Sequence, residues 1–226
     1  MSRIPNFDPR QVPVLGVDSH LPAVVSSHFV PEAFRARFKT PPVWTPEVMV
    51  EKRFADRVPM QAAVLVPIVM RERPAVLLTE RTAHLATHSG QIAFPGGKVD
   101  ETDADARETA LRETEEEVGL ARELVQVLGT LPTYTTGTAF IITPVVALVQ
   151  PGFSLSLNAN EVADAFEVPL DFLMNPANHQ RHAFEWEGVR REWFSIPYQD
   201  PDARVERYIW GATAGMLRNF YRFLSA

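Results

Sequence analysis

The chain has 226 residues, 46% of them hydrophobic and 22% charged, enough for one large domain or two small ones to bury a core. It contains no cysteine, which excludes a disulfide scaffold, thiol catalysis, iron–sulfur clusters and cysteine-type zinc sites. The net charge of -6 is uneven: Asp100 to Glu117 hold nine acids against two bases, the remainder is nearly neutral, and no basic stripe for nucleic acid stands out.

Eight prolines punctuate residues 1–58, so extended segments and turns are expected there, with a short helix around Glu32 to Phe38. We read this stretch as an N-terminal extension packed on a domain that occupies 59–226. The opening residues lack the pattern of a secretory signal, and the most apolar stretches, Gln61 to Met70 and Ala139 to Val149, are too short to span a bilayer. A cytoplasmic location without membrane contact is the default expectation. Ala62 to Met70 is a continuous apolar run of strand length, and Ala75 to Glu80 follows a polar turn as the second arm of a hairpin. A loop from Arg81 ends in Phe94-Pro95-Gly96-Gly97, where glycines let backbone approach a ligand. Thr102 or Asp103 then caps a helix with one face formed by Ala106, Ala110, Leu111, Thr114 and Val118, and Gly119 stands where that helix ends. Leu124 to Gly129 and Ala139 to Val149 read as strands, Val168 to Met174 as a short apolar segment, Arg181 to Ile196 as a hairpin turning at Glu187-Gly188, and Ile209 to Leu224 as a closing helix.

The chemistry is concentrated on the capped helix. Glu113, Glu116 and Glu117 are spaced i, i+3, i+4 and therefore share one face. Carboxylates so placed repel one another, and a divalent cation reverses the sign of that interaction. Hard oxygen ligands suit Mg²⁺ or Mn²⁺, which hold phosphate oxygens, and the carbonyl of Gly97 offers a further ligand. A solvated acidic surface is the alternative. An EF-hand is excluded, because the acids at Asp103 and Asp105 lack the required glycine and terminal glutamate spacing.

Gly96 to Leu120, GGKVDETDADARETALRETEEEVGL, resembles the Nudix box, Gx₅Ex₇REUxEExGU with U a bulky aliphatic residue. Arg112 falls one residue later than that pattern requires, so Asp103 or Asp105 takes the place of the first glutamate in holding the arginine, and Thr114 stands at an aliphatic position. Upstream, Leu77-Leu78-Thr79-Glu80-Arg81-Thr82, Gly90 and Phe94 to Gly97 resemble the LLTxRSx₃Rx₃Gx₃FPGG signature of Nudix enzymes that hydrolyse coenzyme A. Thr82 replaces serine there, and Ala86 replaces an arginine.

The resemblance implies an α/β (α+β) fold, a Nudix-type α/β/α sandwich with a mixed sheet. It implies an enzyme using Mg²⁺ or Mn²⁺ to cleave the diphosphate of coenzyme A or its derivatives into 3′,5′-ADP and (acyl-)4′-phosphopantetheine. The partner is then a small-molecule diphosphate, and a homodimer is compatible with the family. Gly97, Glu113, Glu116 and Glu117 are the expected metal ligands. Glu113, Glu116 and Glu161 are the candidate catalytic residues, Glu161 as a base or extra metal ligand brought by a later loop or else an ordinary helix N-terminal glutamate. Arg81, Thr82, Gly90, Phe94, Gly96 and Lys98 are expected at the substrate, and Arg112 and Gly119 to be structural. A Nudix hydrolase of another nucleoside diphosphate derivative and a non-catalytic Nudix-fold sensor are the competing readings. His84 and His88 lie four apart, but in a loop-like stretch where zinc is not expected. Trp186, Trp193 and Phe194 read as core or dimer surface rather than an adenine platform.

Overall fold

The computed structural model describes residues 8–54, 57–82 and 90–226. In chain order the elements are β1 (Val14–Val17), α1 (Pro31–Lys39), β2 (Met60–Val69), β3 (Ala75–Arg81), β4 (Ile92–Ala93), β5 (Gly96–Lys98), α2 (Ala106–Val118), β6 (Val125–Thr130), β7 (Tyr134–Thr135), β8 (Phe140–Val149), β9 (Val162–Pro169), α3 (Leu170–Leu173), β10 (Gln180–Trp186), β11 (Val189–Asp200), β12 (Val205–Trp210) and α4 (Gly211–Ser225).

The central sheet runs β4-β3-β2-β8-β6, with β5 beside β2, β7 beside β8 and β9 beside β3. It is mixed, because β2 pairs parallel with β8 over ten residues whereas its other ladders are antiparallel. Buried on both faces, β2 and β8 carry the continuous apolar runs that such strands need. On one face Leu65, Leu77, Val145 and Ala147 pack against Ala110, Val118 and Leu120 of the α2 region. On the other, Val66, Val76 and Leu78 meet α4 through Leu217 and Phe220. The result is an α/β/α sandwich, extended by a second sheet of order β1-β10-β11-β12 whose Phe194, Ile196 and Ile209 join the α4 core.

The N-terminal residues are built into this frame. β1 pairs with β10, and Phe34 of α1 is fully buried in the α4 core. Arg218 of α4, 1% exposed, donates from Nη2 to Asp18 (2.7 Å) and from Nε to Glu47 (2.7 Å). Arg181 of β10 donates to the same two carboxylates, at 2.7 and 2.6 Å. Burial raises the pKa of both acids, but the two guanidinium groups outweigh it and hold both below their ordinary values. Asn219 completes the fastening by accepting the N–H groups of Glu47 and Val48.

Several elements differ from the sequence reading. The apolar stretch Val168 to Met174 divides at Pro169, which ends β9 before α3 begins. Ile209 and Trp210 belong to β12, paired with Ile196 and Ser195, so the closing helix starts at Gly211. A single inward isoleucine suits a strand or a helix equally, and only the ladder decides between them. The hairpin does turn at Glu187-Gly188, both at positive φ (51° and 68°), the geometry of a tight two-residue connection. Phe194 lies in the core, whereas Trp186 and Trp193 are half-buried on the hairpin, Trp193 stacked on His182.

Candidate active site

The acidic helix is held in place by its own N-terminal loop. Asp105, rather than Thr102 or Asp103, caps α2, its Oδ1 accepting the N–H groups of Arg107 (2.8 Å) and Glu108 (3.0 Å). Asp103 is engaged elsewhere. Its carboxylate accepts Nε and Nη2 of Arg112 at 2.9 and 2.8 Å, together with the Thr109 hydroxyl and the Asp100 N–H. These bonds hold Asp103 far below the usual carboxylate range, so it is an anion at any working pH. Between the two acids offered for the missing first glutamate, Asp103 is the one that takes the arginine, and the extra residue is absorbed in the loop before the cap. Arg112 also donates to the Lys98 carbonyl (3.2 Å), to Glu113 (2.8 Å) and to Glu116 (3.4 Å), tying α2 to β5. Gly119 ends the helix in the left-handed region, φ 68°, as a terminating glycine does.

The three glutamates occupy different environments. Glu116 is 58% exposed at its side chain, Glu113 is 18% exposed, and Glu117 is 4% exposed as a residue. Glu117 accepts the Gly96 N–H at 3.1 Å. Burial pushes its pKa up to about 7, with Glu161 and Glu113 adding to the shift and the Gly96 N–H and Arg81 opposing it. Burial likewise raises Glu113, partly offset by Arg112. Gly97 lies directly against the Glu113 carboxylate, so any Cβ at position 97 would collide with it. The double glycine thus serves close approach: one backbone N–H reaches Glu117, and the next residue leaves room for Glu113.

Two further segments meet this face. Arg81 ends β3, and its buried Nε has no hydrogen-bond partner among the described residues. Glu161 lies in the turn before β9, so the helix N-terminus considered for it is not present. That turn is mounted on both neighbours: Asn158 N–H donates to the Glu117 carbonyl (2.9 Å), and Thr82 N–H donates to the Glu161 carbonyl (3.0 Å). A strap carrying Phe153, Leu155 and Leu157 into the α2 core leads to the turn.

Thr82 is buried and gives its hydroxyl to the Asn160 carbonyl, and Phe94 is 3% exposed within the α4 core. Packing therefore takes both away from the surface where a ligand would lie. Gly90, at φ 66°, donates to the Arg81 carbonyl, and Lys98 is exposed on β5. Ala86, His84 and His88 lie outside the described residues. The geometry brings Gly96, Gly97, Glu113, Glu117, Arg81 and Glu161 together, with Glu116 and Lys98 at the rim.

The donor set fits a hard divalent cation: carboxylates, a backbone carbonyl at a glycine lying against one of them, and a buried acid whose pKa is pushed up to about 7. Among the described residues no three acids or histidines stand close enough to enclose an ion as they are arranged, since Glu113 is turned to Arg112. An α/β/α sandwich with these carboxylates beside a glycine pair and Arg81 has the donor types that a divalent cation and a phosphate call for.

Comparison with known proteins assigns the family. The NUDIX domain family matches residues 59–196. The uncharacterized Nudix hydrolase NudL of Escherichia coli (strain K12) is 42% identical over 159 residues, covering 70% of this chain and 79% of that protein. The protein of the same name from Enterobacter sp. (strain 638) is 42% identical over 163 residues, with the same coverage. Among solved structures, a C. elegans Ap4A hydrolase binary complex is similar at TM-score 0.42 and 23% identity, over 52% of this chain and 85% of that one. The M. smegmatis Nudix hydrolase RenU is similar at TM-score 0.41 and 27% identity, over 57% and 80%. The chain belongs to the Nudix family. It is a pyrophosphatase acting on a nucleoside diphosphate derivative.

Proposed function

We propose that the substrate is coenzyme A or an acyl derivative, cleaved at its diphosphate to 3′,5′-ADP and (acyl-)4′-phosphopantetheine. The observation that carries this reading is the segment from Leu77 to Gly97. It has the spacing of the coenzyme A signature, and it delivers Arg81, whose buried Nε has no partner among the described residues, to the acidic face of α2.

Glu113, Glu117 and the Gly97 carbonyl would hold Mg²⁺ or Mn²⁺, with Glu116 at the rim as ligand or water-orienting group. When bound, the cation offsets the diphosphate charge and makes water a better nucleophile at neutral pH. Glu113 leaves Arg112 for this purpose, and Arg112 stays anchored by Asp103 and the Lys98 carbonyl. Arg81 donates to a phosphate oxygen, and Lys98 faces the outer phosphate from the rim. Glu161 takes a proton from the attacking water as the new P–O bond forms and the bridging P–O bond breaks. Thr82 and Gly90 hold the end of β3 that carries Arg81, through their N–H bonds to the Glu161 and Arg81 carbonyls, and Phe94 is anchored in the core. We assign the protein to the cytoplasm, where free coenzyme A is available to it, and leave the homodimer of the resemblance as the expected assembly.

The test is product analysis with coenzyme A, ADP-ribose and 8-oxo-dGTP in Mg²⁺ and in Mn²⁺. Release of 4′-phosphopantetheine in preference to products of the other two is expected. Absence of phosphopantetheine at every metal concentration overturns the reading, and preferential cleavage of either competitor replaces it.

A further inference from the structure

Arg207 of β12 belongs to neither the core nor the acidic face, yet its side chain is only 7% exposed and contacts three carboxylates. It donates from Nη1 to Glu80 (2.8 Å), from Nη2 to Asp164 (2.5 Å) and from Nε to Asp200 (3.1 Å), and its guanidinium lies 4.1 Å from the centre of the Phe166 ring. Asp200, at the end of β11, also accepts the N–H groups of Asp202 and Ala203 and so has other support. Glu80 and Asp164 are a directly opposed pair on β3 and β9, a placement in which like charges push strands apart.

The next position along this pair is where the ladder slips. A bulge between Glu80 and Arg81 sets Arg81 opposite Val162, and simple alternation on β9 is broken so that Val162 turns to the α2 side. Immediately beyond lie the Thr82 N–H bond to the Glu161 carbonyl and the Thr82 hydroxyl bond to Asn160. Arg81 and Glu161 therefore leave the sheet together, one step past a pair of like charges that Arg207 bridges.

We infer that Arg207 is a positioning residue for the active site: by clamping Glu80 to Asp164 from the second sheet, it fixes the strand ends that present Arg81 and Glu161 to the α2 carboxylates. The planar fork is what the role requires, because one guanidinium reaches strands β3 and β9 and the end of β11 at once, whereas an ammonium offers no fixed fork. The effect on turnover rests on the proposed diphosphatase activity. The effect on the strand ends does not.

The test uses the full chain with Arg207→Lys and Arg207→Gln. Hydrogen exchange of the Thr82 amide, Mn²⁺ affinity by EPR without substrate, and kcat are read in each. Thr82 protection is expected to fall at least about tenfold through local opening. Turnover is expected to fall by at least about tenfold, as misplaced catalytic groups cost. Mn²⁺ affinity is expected to change by well under the roughly tenfold that marks contacts to a metal site, because the α2 carboxylates stay in place and only the opposed charges of Arg81 and Glu161 shift beside Glu117. If Arg207→Gln does not fold, Arg207→Lys carries the comparison. Unchanged Thr82 protection in a folded variant overturns the inference, and so does a parallel loss of Mn²⁺ affinity, which would mark general destabilisation. Loss of Thr82 protection in a protein whose wild type cleaves no diphosphate supports the positioning role and refutes the proposed function instead.

Discussion

Two regions of the molecule bury charge, and they do so differently. Around Arg218, Asp18 meets two guanidinium groups and Glu47 three, Arg222 joining Arg218 and Arg181, and both acids sit below their ordinary pKa values. On α2, Glu117 is 4% exposed, accepts one backbone N–H, and has its pKa pushed up to about 7 by burial, while the Nε of Arg81 beside it has no hydrogen-bond partner among the described residues. The first arrangement is complete and fastens the N-terminal segment to α4. The second leaves the Glu117 carboxylate and the Arg81 Nε short of hydrogen-bond partners among the described residues, which suits a site for a metal and a phosphate. Completeness of pairing thus separates structure from function in a chain where both are made of the same residue types.

The largest expected effect lies on the incomplete side. Glu117→Gln is expected to lower turnover by about 10³-fold, since a metal supplies several kcal/mol of transition-state stabilisation and an amide binds a hard cation poorly. The same variant should melt higher than wild type at pH 8 in EDTA. Glu117 binds its proton more tightly in the folded state, so its contribution is lost as pH rises through about 7, and glutamine removes that loss. Full activity in Glu117→Gln would break the contrast.

On the complete side, Arg218→Met leaves buried Asp18 and half-buried Glu47 without one of their cations and should cost about 3 kcal/mol in denaturant unfolding, the low end of what breaking a buried pair costs because Arg181 and Arg222 remain. The folded fraction should keep its Mn²⁺ affinity, because α2 does not touch Arg218. A variant as stable as wild type would show that Arg181 and Arg222 suffice.

His179 tests the same region with pH. Burial lowers its pKa to about 4, and its Nε2–H donates to the Leu173 carbonyl while Nδ1 faces Arg218. Between about 6.5 and 4 the unfolded chain binds the proton and the folded one does not. Stability contributed by neutral His179 is therefore present above 6.5 and lost as pH falls, by about 3 kcal/mol at pH 4. His179→Gln should flatten that part of the stability profile, and an unchanged slope would contradict the assignment.

The smallest predicted effect is on metal affinity. Mn²⁺ displaces the Glu117 proton, so affinity should rise about tenfold per pH unit below 7 and level off above it. A flat profile between pH 5.5 and 7 would place the ion away from Glu117.

Much of the incomplete region is legible in the sequence, because its parts are local. Glu113, Glu116 and Glu117 fall on one helical face by spacing alone, and Gly96, Gly97 and Arg81 stand at motif positions. The cap was less legible: Thr102, Asp103 and Asp105 are all competent, and Asp105 caps because Arg112 and Thr109 occupy Asp103. Thr82 and Phe94 match a signature whose residues serve the loop's anchorage as well as its surface. The complete region was hidden, since Asp18, Glu47, Arg181 and Arg218 come from four distant stretches. For the same reason β12 was missed: Arg207 reads as an exposed base in Val205–Trp210 until its three carboxylates are seen.

The most direct measurement of the central claim is a Mn²⁺ titration followed by EPR at pH 8, comparing wild type with Glu113→Gln and Glu117→Gln. Saturable binding in wild type that weakens by at least about tenfold in each variant, the cost of losing a carboxylate ligand, is the predicted result. Equal binding in all three proteins would contradict it and return the acidic face of α2 to being a solvated surface.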